Sequence, residues 1–507
     1  MNQPLVCMTL TGKTLEEDLM LVKKYEKYID MVELRVDFLE ENEQLLIRRF
    51  PAMIRQPCIL TIRRDIDGGL FTSGEFSRTN LFARALAFAN QDKAKNFAYV
   101  DFEDDYHIPS IQDAALAFGV KIIRSYINTK EPVYNLKEKC DSMRKTGYEI
   151  PKIVFMPKKF SDVTNMFEEG KAMNQYEHIF VALGPMGYPS RVLASLTNSF
   201  LTYSLPEESL NKNNKLDHVT PIKLSTMYNP GSINQDTALY GIAGWPAEHV
   251  LSPEVHNAGY KKLGINAAYI PIRTPIISEA ISFAERIGLN GLTITSPHKE
   301  SVLYYVHEQS PEVVHTGSCN AIIRNNNKWH AFNTDVYGFK RSLEEFLGNM
   351  KIKRKKVAVI GAGEVAQAVV YALKQMGAKV CIFNRTTANA KALADKYGYD
   401  YCTLEPSCAP ILDEYSGLII QTTTVGSELQ EQNSEINDPI HFYSFRGDEL
   451  LFDIVCKPSL TPIMKRASLA GCRVCNGYHM LEYKAYAQFK LFTGLDFEEN
   501  TNIDNFF

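Results

Sequence analysis

The sequence has little that would place the protein in a membrane or on nucleic acid. No apolar run approaches the roughly 18 residues that a membrane-spanning helix needs, and residues 1–4 do not begin a signal peptide. The net charge is only −4, so no excess of basic residues indicates a nucleic-acid or charged membrane partner. We therefore expect a cytoplasmic protein that binds neither.

A disulfide framework and a metal motif are also missing. The ten cysteines are scattered over 507 residues without regular spacing, which is typical of buried thiols in a reducing compartment. Cys472 and Cys475 have the spacing of a redox or metal pair, but no second pair or histidine cluster accompanies them. We expect no metal site.

The length and the composition indicate more than one globular domain. A chain of 507 residues is too long for a single hydrophobic core, so two or three domains are expected. Contents of 45% hydrophobic and 22% charged residues are ordinary for a folded protein.

Eight apolar, strand-like runs occupy residues 1 to about 230. Amphipathic stretches such as Leu15–Tyr28 and Thr79–Asn90 lie between most of them. Eight such units in this length predict a (β/α)8 barrel, with an open doubly wound sheet as the competing α/β architecture. The runs are Leu5–Leu10, Met31–Val36, Cys58–Ile62, Phe97–Phe102, Val120–Arg124, Lys152–Met156, Ile179–Leu183 and Phe200–Leu205.

Charged residues gather at the C-terminal ends of these runs, where a barrel has its active site. Strand alternation sends Glu33 and Arg35 to the same side, and Arg63 and Glu103 end the next two runs. Charges that converge on one mouth indicate a small, anionic, hydroxylated ligand. The alternative is that each is an ordinary solvated strand-end residue.

Lys152 is the most unusual of these residues because it opens the apolar run P-K-I-V-F-M. Cations and apolar walls around a lysine favour its neutral amine, and a neutral amine can form a Schiff base with a ketone. The alternative is a lysine at a strand edge that points outward to solvent.

Residues 1–230 resemble type I 3-dehydroquinate dehydratase, a (β/α)8 enzyme. The matching segments are V-E-L-R-V-D (32–37), D-F-E (101–103), P-K-I-V-F-M-P (151–157) and S-R (190–191). The resemblance implies that Lys152 is the Schiff-base lysine and that Glu103 positions the catalytic group. It also implies four residues that hold the substrate: Glu33, Arg35, Arg63 and Arg191.

Two places depart from the pattern of that family. The family has a histidine just past strand five as general acid–base, whereas the run 122–129 has none, and Tyr126 is nearest to that place. Tyr126 is therefore our candidate for a catalytic role. The late Ser-Ala-Pro-Gly-Gln loop of the family is not found in residues 211–221.

A turn-rich polar stretch at residues 228–236 indicates the end of the barrel domain. We predict four segments from the sequence. They are the barrel at 1–230, a substrate-binding lobe at 238–340, a dinucleotide-binding lobe at 341–475, and a C-terminal helix at 476–507 that returns to the substrate lobe.

Residues 355–386 have the order of a dinucleotide site. A β-branched strand at 357–360 leads into Gly361, Ala362 and Gly363, followed by a helical run and a second strand. The glycines allow a tight turn and close approach to a pyrophosphate, which the helix N-terminus attracts. The second strand ends in Asn384-Arg385-Thr386 without a carboxylate. Arginine there suits a 2′-phosphate, so the sequence predicts NADP.

The C-terminal half, from about residue 238, resembles shikimate dehydrogenase. The motifs are S-P after a G-x-P turn, T-x-P-x-K, G-x-x-N, N-T-D, G-A-G-x-x-A, N-R-T and a terminal G-x-x-M helix, all in the family's order. The resemblance implies that Lys299 and Asp335 are the catalytic pair. It implies substrate contacts from Ser252, Thr295 and Asn320, and cofactor contacts from Gly361, Ala362, Gly363, Asn384, Arg385, Thr386 and Gly477. Lys484 stands where the family has a glutamine on its last helix, and we expect it to contact the substrate with a charge-assisted hydrogen bond.

Together these resemblances predict a shikimate-pathway enzyme with two activities, acting on 3-dehydroquinate and then on 3-dehydroshikimate to give shikimate. Three alternatives remain open. The barrel could be an impaired scaffold beside an active dehydrogenase, quinate could be the preferred substrate, or the chain could be a non-enzymatic ligand sensor.

Overall fold

The computed structural model describes residues 3–87, 90, 92–210, 216–246, 252–428 and 437–496. The chain forms two compact units, residues 1–289 and 290–507. The domain boundaries predicted from the sequence remain predictions. Within the described residues, no helix is both long enough and apolar enough to cross a bilayer.

The first unit contains the barrel. Its eight parallel strands are ordered β7-β6-β5-β4-β3-β2-β1-β8, so β1 pairs with both β2 and β8. A bridge between His178 and Ser199 joins the remaining two edges. The (β/α)8 prediction is thus confirmed over the open sheet. The strands are β1 Leu5–Leu10, β2 Met31–Arg35, β3 Cys58–Thr61, β4 Tyr99–Glu103, β5 Lys121–Asn128, β6 Ile150–Phe155, β7 Ile179–Ala182 and β8 Leu201–Ser204.

Helices connect the barrel strands. The first helix begins at Leu15 because Thr14 caps it, accepting a hydrogen bond from the Glu17 amide at 3.2 Å. Acidic residues in its first turn interact favourably with the helix dipole. The helices are α1 Leu15–Tyr25, α2 Glu41–Gln44, α3 Gly74–Leu86, α4 Pro109–Ala117, α5 Leu136–Met143, α6 Phe160–Ala172 and α7 Gly184–Val192.

The first unit continues beyond the barrel with two parallel strands, β9 Ala238–Gly244 and β10 Ala267–Arg273, and two helices, α8 Ser252–Leu263 and α9 Ile277–Ile287. Helix α9 packs on α6, where Phe283 meets the rings of Phe160 and Phe167 edge-on at 5.1 and 5.4 Å. Glu279 accepts a hydrogen bond from the Phe160 amide at 3.0 Å and so satisfies the start of α6.

The second unit begins with strands in the order β11-β13-β14-β12. Asn326 and Asn327 both have positive φ, as a two-residue turn between antiparallel strands requires, and they join β13 to β14. The elements are β11 Gly291–Ile294, β12 Glu308–Gln309, α10 Pro311–Thr316, β13 Ala321–Asn325, β14 Lys328–Phe332 and α11 Thr334–Leu347.

A doubly wound parallel sheet follows, in the order β17-β16-β15-β18-β19-β20. This is the strand order of a dinucleotide-binding fold, with separate apolar cores on its two faces. The elements are β15 Lys356–Ile360, α12 Glu364–Gln375, β16 Lys379–Asn384, α13 Thr387–Tyr397, β17 Asp400–Thr403, α14 Ala409–Tyr415, β18 Leu418–Gln421, β19 Leu450–Asp453, α15 Pro462–Ala470, β20 Arg473–Cys475 and α16 Tyr478–Thr493.

Candidate active sites

The barrel interior changes from apolar to polar toward the C-terminal strand ends. Inward residues of the lower layer form one apolar cluster, which includes Met31, Tyr99, Ile123 and Ile150. Alternate residues of a strand share a face. Two residues further along, seven of the eight strands carry a polar side chain on this face, and β7 carries Val181. These upper residues include Thr9, Glu33, Thr61, Asp101, Ser125, Lys152 and Tyr203.

Lys152 lies in this upper layer and is 4% exposed. Its Nζ is 2.9 Å from Asp101 Oδ2 and 3.3 Å from Glu33 Oε1, and it lies 4.5 Å from the centre of the Tyr203 ring. The sequence placed Lys152 among cations and apolar walls, and this expectation was wrong. Its nearest charged partners are two carboxylates from strands β4 and β2.

Arg63 and Glu103 continue the network above Lys152. The guanidinium of Arg63 is 2.9 Å from Asp101 Oδ1 and 2.9 Å from Glu103 Oε1. Burial by itself lowers the pKa of Arg63, but the two carboxylates outweigh it and raise that pKa. For Asp101, burial raises the pKa, while Arg63 and Lys152 outweigh burial and lower it. The carboxylate of Asp101 is therefore a stable anion between two cations.

Asp101 is a residue that our sequence reasoning left out of the site. Glu103 was assigned a positioning role, and it does bind Arg63 and, at 2.6 Å, Arg78. The carboxylate that contacts Lys152 is Asp101. The alternation in D-F-E could have revealed it, since residues 101 and 103 share one strand face.

Two further arginines of the predicted substrate set differ in their partners. Arg35 donates to both Asp37 oxygens, at 2.9 and 2.7 Å. Arg191 is buried and donates to the Ala182 and Leu216 carbonyls at 3.1 and 3.3 Å. Among described residues it has no carboxylate within ion-pair distance, and burial lowers its pKa to about 10. Of the three arginines predicted to hold the substrate, Arg191 is thus the one that is free of a described ion pair and available to an anionic ligand.

Tyr126 does not join this network. Ser125 is paired with Lys152 in the sheet and faces the interior, so Tyr126, the next residue, faces outward. There the Lys139 ammonium lies 4.1 Å from the centre of its ring. Ile127, one residue further, packs against the interior apolar cluster.

In the second unit, Lys299 and Asp335 come together as predicted. Lys299 Nζ is 2.8 Å from Asp335 Oδ2, and both side chains are buried. Asn333 caps α11 by accepting from the Asp335 amide at 3.1 Å, which fixes the carboxylate at the helix start. Burial lowers the pKa of Lys299, but Asp335 outweighs it and raises the pKa.

Lys484 of α16 also binds Asp335, with its Nζ 3.1 Å from Oδ1. Burial raises the pKa of Asp335, while Lys299 and then Lys484 outweigh burial and lower it. One buried carboxylate therefore holds two ammonium groups. This contact was not foreseen, because the sequence assigned Lys484 to the substrate alone.

The other predicted substrate residues of this half make no described ion pair or hydrogen bond with Lys299 or the Asp335 carboxylate. Asn320 is buried and bonds Thr334, accepting from its amide at 2.8 Å and donating to its hydroxyl at 3.0 Å. Thr295 is half-buried in the turn after β11. Ser252 belongs to the first unit, where it begins α8 and is half-buried.

Gln488 was missed by the sequence reasoning although it is buried. It accepts from the Thr293 hydroxyl at 3.0 Å and donates to the Asn320 carbonyl at 3.2 Å. Gln488 thereby ties α16 to β11, which leads to Thr295, and to Asn320 just before β13.

The predicted cofactor residues surround the turn between β15 and α12. Gly361 has φ of +110°, and a Cβ on it would lie 2.5 Å from the Thr422 hydroxyl oxygen. Gly363 caps α12, and a Cβ on it would meet nothing within 4 Å. Ala362 between them is half-buried. The turn thus leaves open space before a helix N-terminus, which fits a pyrophosphate.

The end of β16 and the start of α16 complete the cofactor region. Asn384 donates to the Thr386 carbonyl at 3.0 Å, and Arg385 is exposed between them. No described carboxylate pairs with Arg385, which fits a 2′-phosphate. Gly477 caps α16, where a Cβ would lie 2.0 Å from the Ile454 carbonyl oxygen, so only glycine allows this close approach.

Three family models match the chain. The model described as type I 3-dehydroquinase matches residues 6–227. The model for the shikimate dehydrogenase substrate binding domain matches residues 242–322, and the model for shikimate / quinate 5-dehydrogenase matches residues 343–455.

Similar proteins span one or both halves. A bifunctional 3-dehydroquinate dehydratase/shikimate dehydrogenase of Arabidopsis thaliana, described as chloroplastic, is 29% identical over 97% of this chain and 83% of its own length. A shikimate dehydrogenase (NADP(+)) of Thermococcus kodakarensis is 34% identical over 52% of this chain and 94% of its own length. A solved structure of dehydroquinate dehydratase and shikimate dehydrogenase from S. pombe is 22% identical, covers 97% of this chain and 96% of its own, and has a TM-score of 0.43.

The matches follow the order of the two buried lysines along the chain, with Lys152 inside the first model and Lys299 inside the second. The chain therefore belongs to the shikimate dehydrogenase family, and it carries a type I 3-dehydroquinase domain ahead of its dehydrogenase domains.

Proposed function

We propose that this chain catalyses two consecutive steps of the shikimate pathway. The barrel dehydrates 3-dehydroquinate to 3-dehydroshikimate, and the C-terminal half reduces 3-dehydroshikimate to shikimate with NADPH. The observation that carries the proposal is the presence of one buried lysine–carboxylate pair in each half, Lys152 with Asp101 and Lys299 with Asp335.

The barrel reaction begins at Lys152. Its amine adds to the C3 ketone and loses water, which gives an iminium ion. The iminium draws electrons from C2, so the C2 proton can leave, and a C1–C2 double bond forms as hydroxide leaves C1. Hydrolysis of the iminium returns the amine and releases the enone.

The surrounding side chains bind and orient the substrate. The carboxylates of Asp101 and Glu33 stabilise positive charge at the Lys152 nitrogen, which lies 2.9 and 3.3 Å from their oxygens in the free chain. Arg191, which has no described carboxylate partner, is placed to bind the substrate carboxylate. Arg35 and Arg63 are held by their own carboxylates and contribute positive potential at the mouth.

In the dehydrogenase half, Lys299 supplies a proton. The ketone of 3-dehydroshikimate requires a proton on oxygen as its carbon is reduced, and an ammonium held at 2.8 Å by Asp335 can donate it. NADPH supplies the hydride when it is bound. Gly361, Gly363 and the start of α12 would hold its pyrophosphate, and Asn384, Arg385 and Thr386 its 2′-phosphate.

A coupled assay tests both steps together. Purified full-length protein is mixed with 3-dehydroquinate and NADPH, and the nicotinamide absorbance is followed. Steady oxidation is the expected result. Oxidation with 3-dehydroshikimate but not with 3-dehydroquinate would mean that the barrel is a scaffold and only the dehydrogenase assignment stands.

Further measurements separate the remaining alternatives. Borohydride treatment with 3-dehydroquinate should trap a covalent adduct on Lys152, which a scaffold would not give. Faster reduction of NADP by quinate than by shikimate would revise the substrate. A chain that neither traps the adduct nor reduces NADP with either compound would be a ligand sensor.

We further propose that the protein works in the cytoplasm. All ten cysteines are free thiols in the structure, and seven of them are buried, which is typical of a reducing compartment.

A further inference from the structure

The barrel reaction needs a group that moves the C2 proton, and the upper layer does not supply a good one. Asp101 is held between Arg63 and Lys152, and those cations lower its pKa, which weakens it as a base. Glu33 already accepts hydrogen bonds from Thr9 and Thr61, besides its ion pair with Lys152. The inward position at the end of β5 is Ile127, whose side chain has no group that can accept or donate a proton.

Three histidines occur in residues 1–230. His107 is exposed, with its Nε2 2.6 Å from Lys145 Nζ. His178 precedes β7, at the opposite end of the barrel, and its ring nitrogens contact the Tyr176 and Thr197 carbonyls. His218 follows β8, so it lies on the side where the active site is built.

The segment that carries His218 lies across the barrel mouth. Leu216 packs against the interior apolar cluster, and its carbonyl accepts from Arg191 at 3.3 Å. The Val219 carbonyl accepts a hydrogen bond from the Leu205 amide at 3.0 Å, which attaches the segment to the end of β8. Residues on both sides of His218 are therefore attached to the barrel.

Burial and two nearby arginines act on the imidazole of His218. Burial, then Arg191 of α7 and Arg35 at the end of β2, lower the pKa of His218 to about 3. Its neighbour Asp217 forms an ion pair with Arg273 of β10. The imidazole is thus neutral near pH 7, the form that accepts a proton. The free site makes it a weak base, and the substrate carboxylate would neutralise Arg191, one of the two cations that lower its pKa.

We propose that His218 is the proton-transfer residue of the barrel, acting on the substrate beside Arg191. This inference rests on the dehydratase activity proposed above. In 3-dehydroquinate the carboxylate and the leaving hydroxyl are both on C1, and the proton to be removed is on C2. A base next to the arginine that binds the carboxylate is therefore close to both reacting positions.

His218 both removes the proton and returns it, so no second acid or base is needed. The His218 imidazole takes the C2 proton, and the C–H electron pair forms the enamine with the Lys152 nitrogen. The enamine electrons then form the C1–C2 double bond as the C1–O bond breaks. The imidazolium returns its proton to the departing oxygen, which leaves as water. Neutralisation of Arg191 by the bound carboxylate raises the proton affinity of the imidazole when it is needed.

The test compares His218→Gln with the wild-type full-length chain. Formation of the enone from 3-dehydroquinate is followed directly, and the Lys152 adduct is trapped with borohydride. We expect kcat to fall by about 10²- to 10⁴-fold with little change in KM, while the adduct still forms. Exchange of the C2 hydrogen with deuterated solvent should be lost in the variant. Imidazole added to His218→Ala should restore part of the turnover.

Controls distinguish this inference from the proposed function. His107→Gln should keep full dehydratase activity. Reduction of 3-dehydroshikimate should be unchanged in every variant, which shows that the dehydrogenase is folded, and formation of the Lys152 adduct shows that the barrel is. Dehydratase activity of His218→Gln within about threefold of wild type would overturn the inference but not the dehydratase assignment. A wild-type chain with neither turnover nor adduct would overturn both.

Discussion

Lys484 Nζ lies 3.1 Å from one oxygen of Asp335, whose other oxygen is bonded by Lys299 at 2.8 Å. The two lysines come from different elements, the turn after β11 and helix α16. Asp335 can thus orient both ammonium groups toward the ring of one substrate, so that one donates the proton and the other binds a hydroxyl.

The first prediction concerns Lys484→Gln. An amide can still hydrogen-bond a substrate hydroxyl, but the charge-assisted bond becomes a neutral one, which is worth roughly 1 kcal/mol less. The KM for 3-dehydroshikimate should rise about five- to tenfold, with kcat nearly unchanged. Lys490→Ala, an exposed lysine of the same helix, serves as the control. An unchanged KM would remove Lys484 from the substrate site.

A second prediction concerns cofactor choice. Arg385 is exposed at the end of β16, where a 2′-phosphate would bind. Arg385→Ala should raise the KM for NADP by about 10- to 100-fold, the loss expected for a hydrogen bond to a charged group. The KM for NAD should change little. Lys391→Ala, on the adjacent helix α13, should leave both constants unchanged, and an equal rise in both would contradict the assignment.

A third prediction concerns Arg273, which pairs with Asp217 and lies over the Tyr188 ring at 5.0 Å. Arg273→Ala removes the ion pair beside His218, so the dehydratase kcat should fall by up to about 10²-fold through misplacement of that residue. The Lys152 adduct should still form. Arg286→Ala, which breaks an exposed ion pair with Glu168 in the same unit, is the matched control. Equal losses in both variants would indicate general loosening of the structure instead.

A fourth prediction concerns stability and pH. Asp18 is fully buried in the first turns of α1, and burial raises its pKa to about 7, with Glu17 adding to the rise. The unfolded chain releases this proton near pH 4, so the free energy of unfolding falls as pH rises from about 4 to 7 and then levels off. Asp18→Asn removes this pH-dependent loss of stability and should raise the free energy of unfolding at pH 8 by at most about 4 kcal/mol.

Thermal unfolding at pH 5 and at pH 8 checks this prediction. Asp18→Asn should raise the midpoint more at pH 8 than at pH 5, whereas Glu16→Gln, an exposed acid in the same turn, should show no such difference. An equal rise in the unfolding midpoint at both pH values would mean that the Asp18 carboxylate does not titrate in this range.

Much of the fold could be predicted because its strands are buried on both faces. Such strands appear as short continuous apolar runs, and all eight barrel runs correspond to observed strands within a few residues at their ends. The glycine turn between β15 and α12 was equally clear, since Gly361 adopts a φ that other residues rarely take. Lys152, Lys299 and Asp335 each stand in a recognisable local motif, which is why the sequence points to them as candidate site residues.

The partners of these residues could not be read from the sequence. Asp101 and Lys152 are 51 residues apart and meet because β4 and β6 end at the same mouth. Tyr126 is the residue nearest in sequence to the place of the missing histidine, but pairing of Ser125 with Lys152 turns it outward. Counting alternation from the buried Ile123 would have placed Ser125 and Ile127 inside instead.

The sequence by itself determined the order of the elements and the dinucleotide turn, and it pointed to Lys152 and Lys299, because these depend on local periodicity and on motifs of a few residues. Only the tertiary structure decided which charges surround those lysines. Strand register and closure of the barrel bring Asp101 and Glu33 to Lys152, and the packing of α16 on α11 brings Lys484 to Asp335. These contacts join residues far apart in the chain, and the strength of their charges depends on burial that only the folded chain creates.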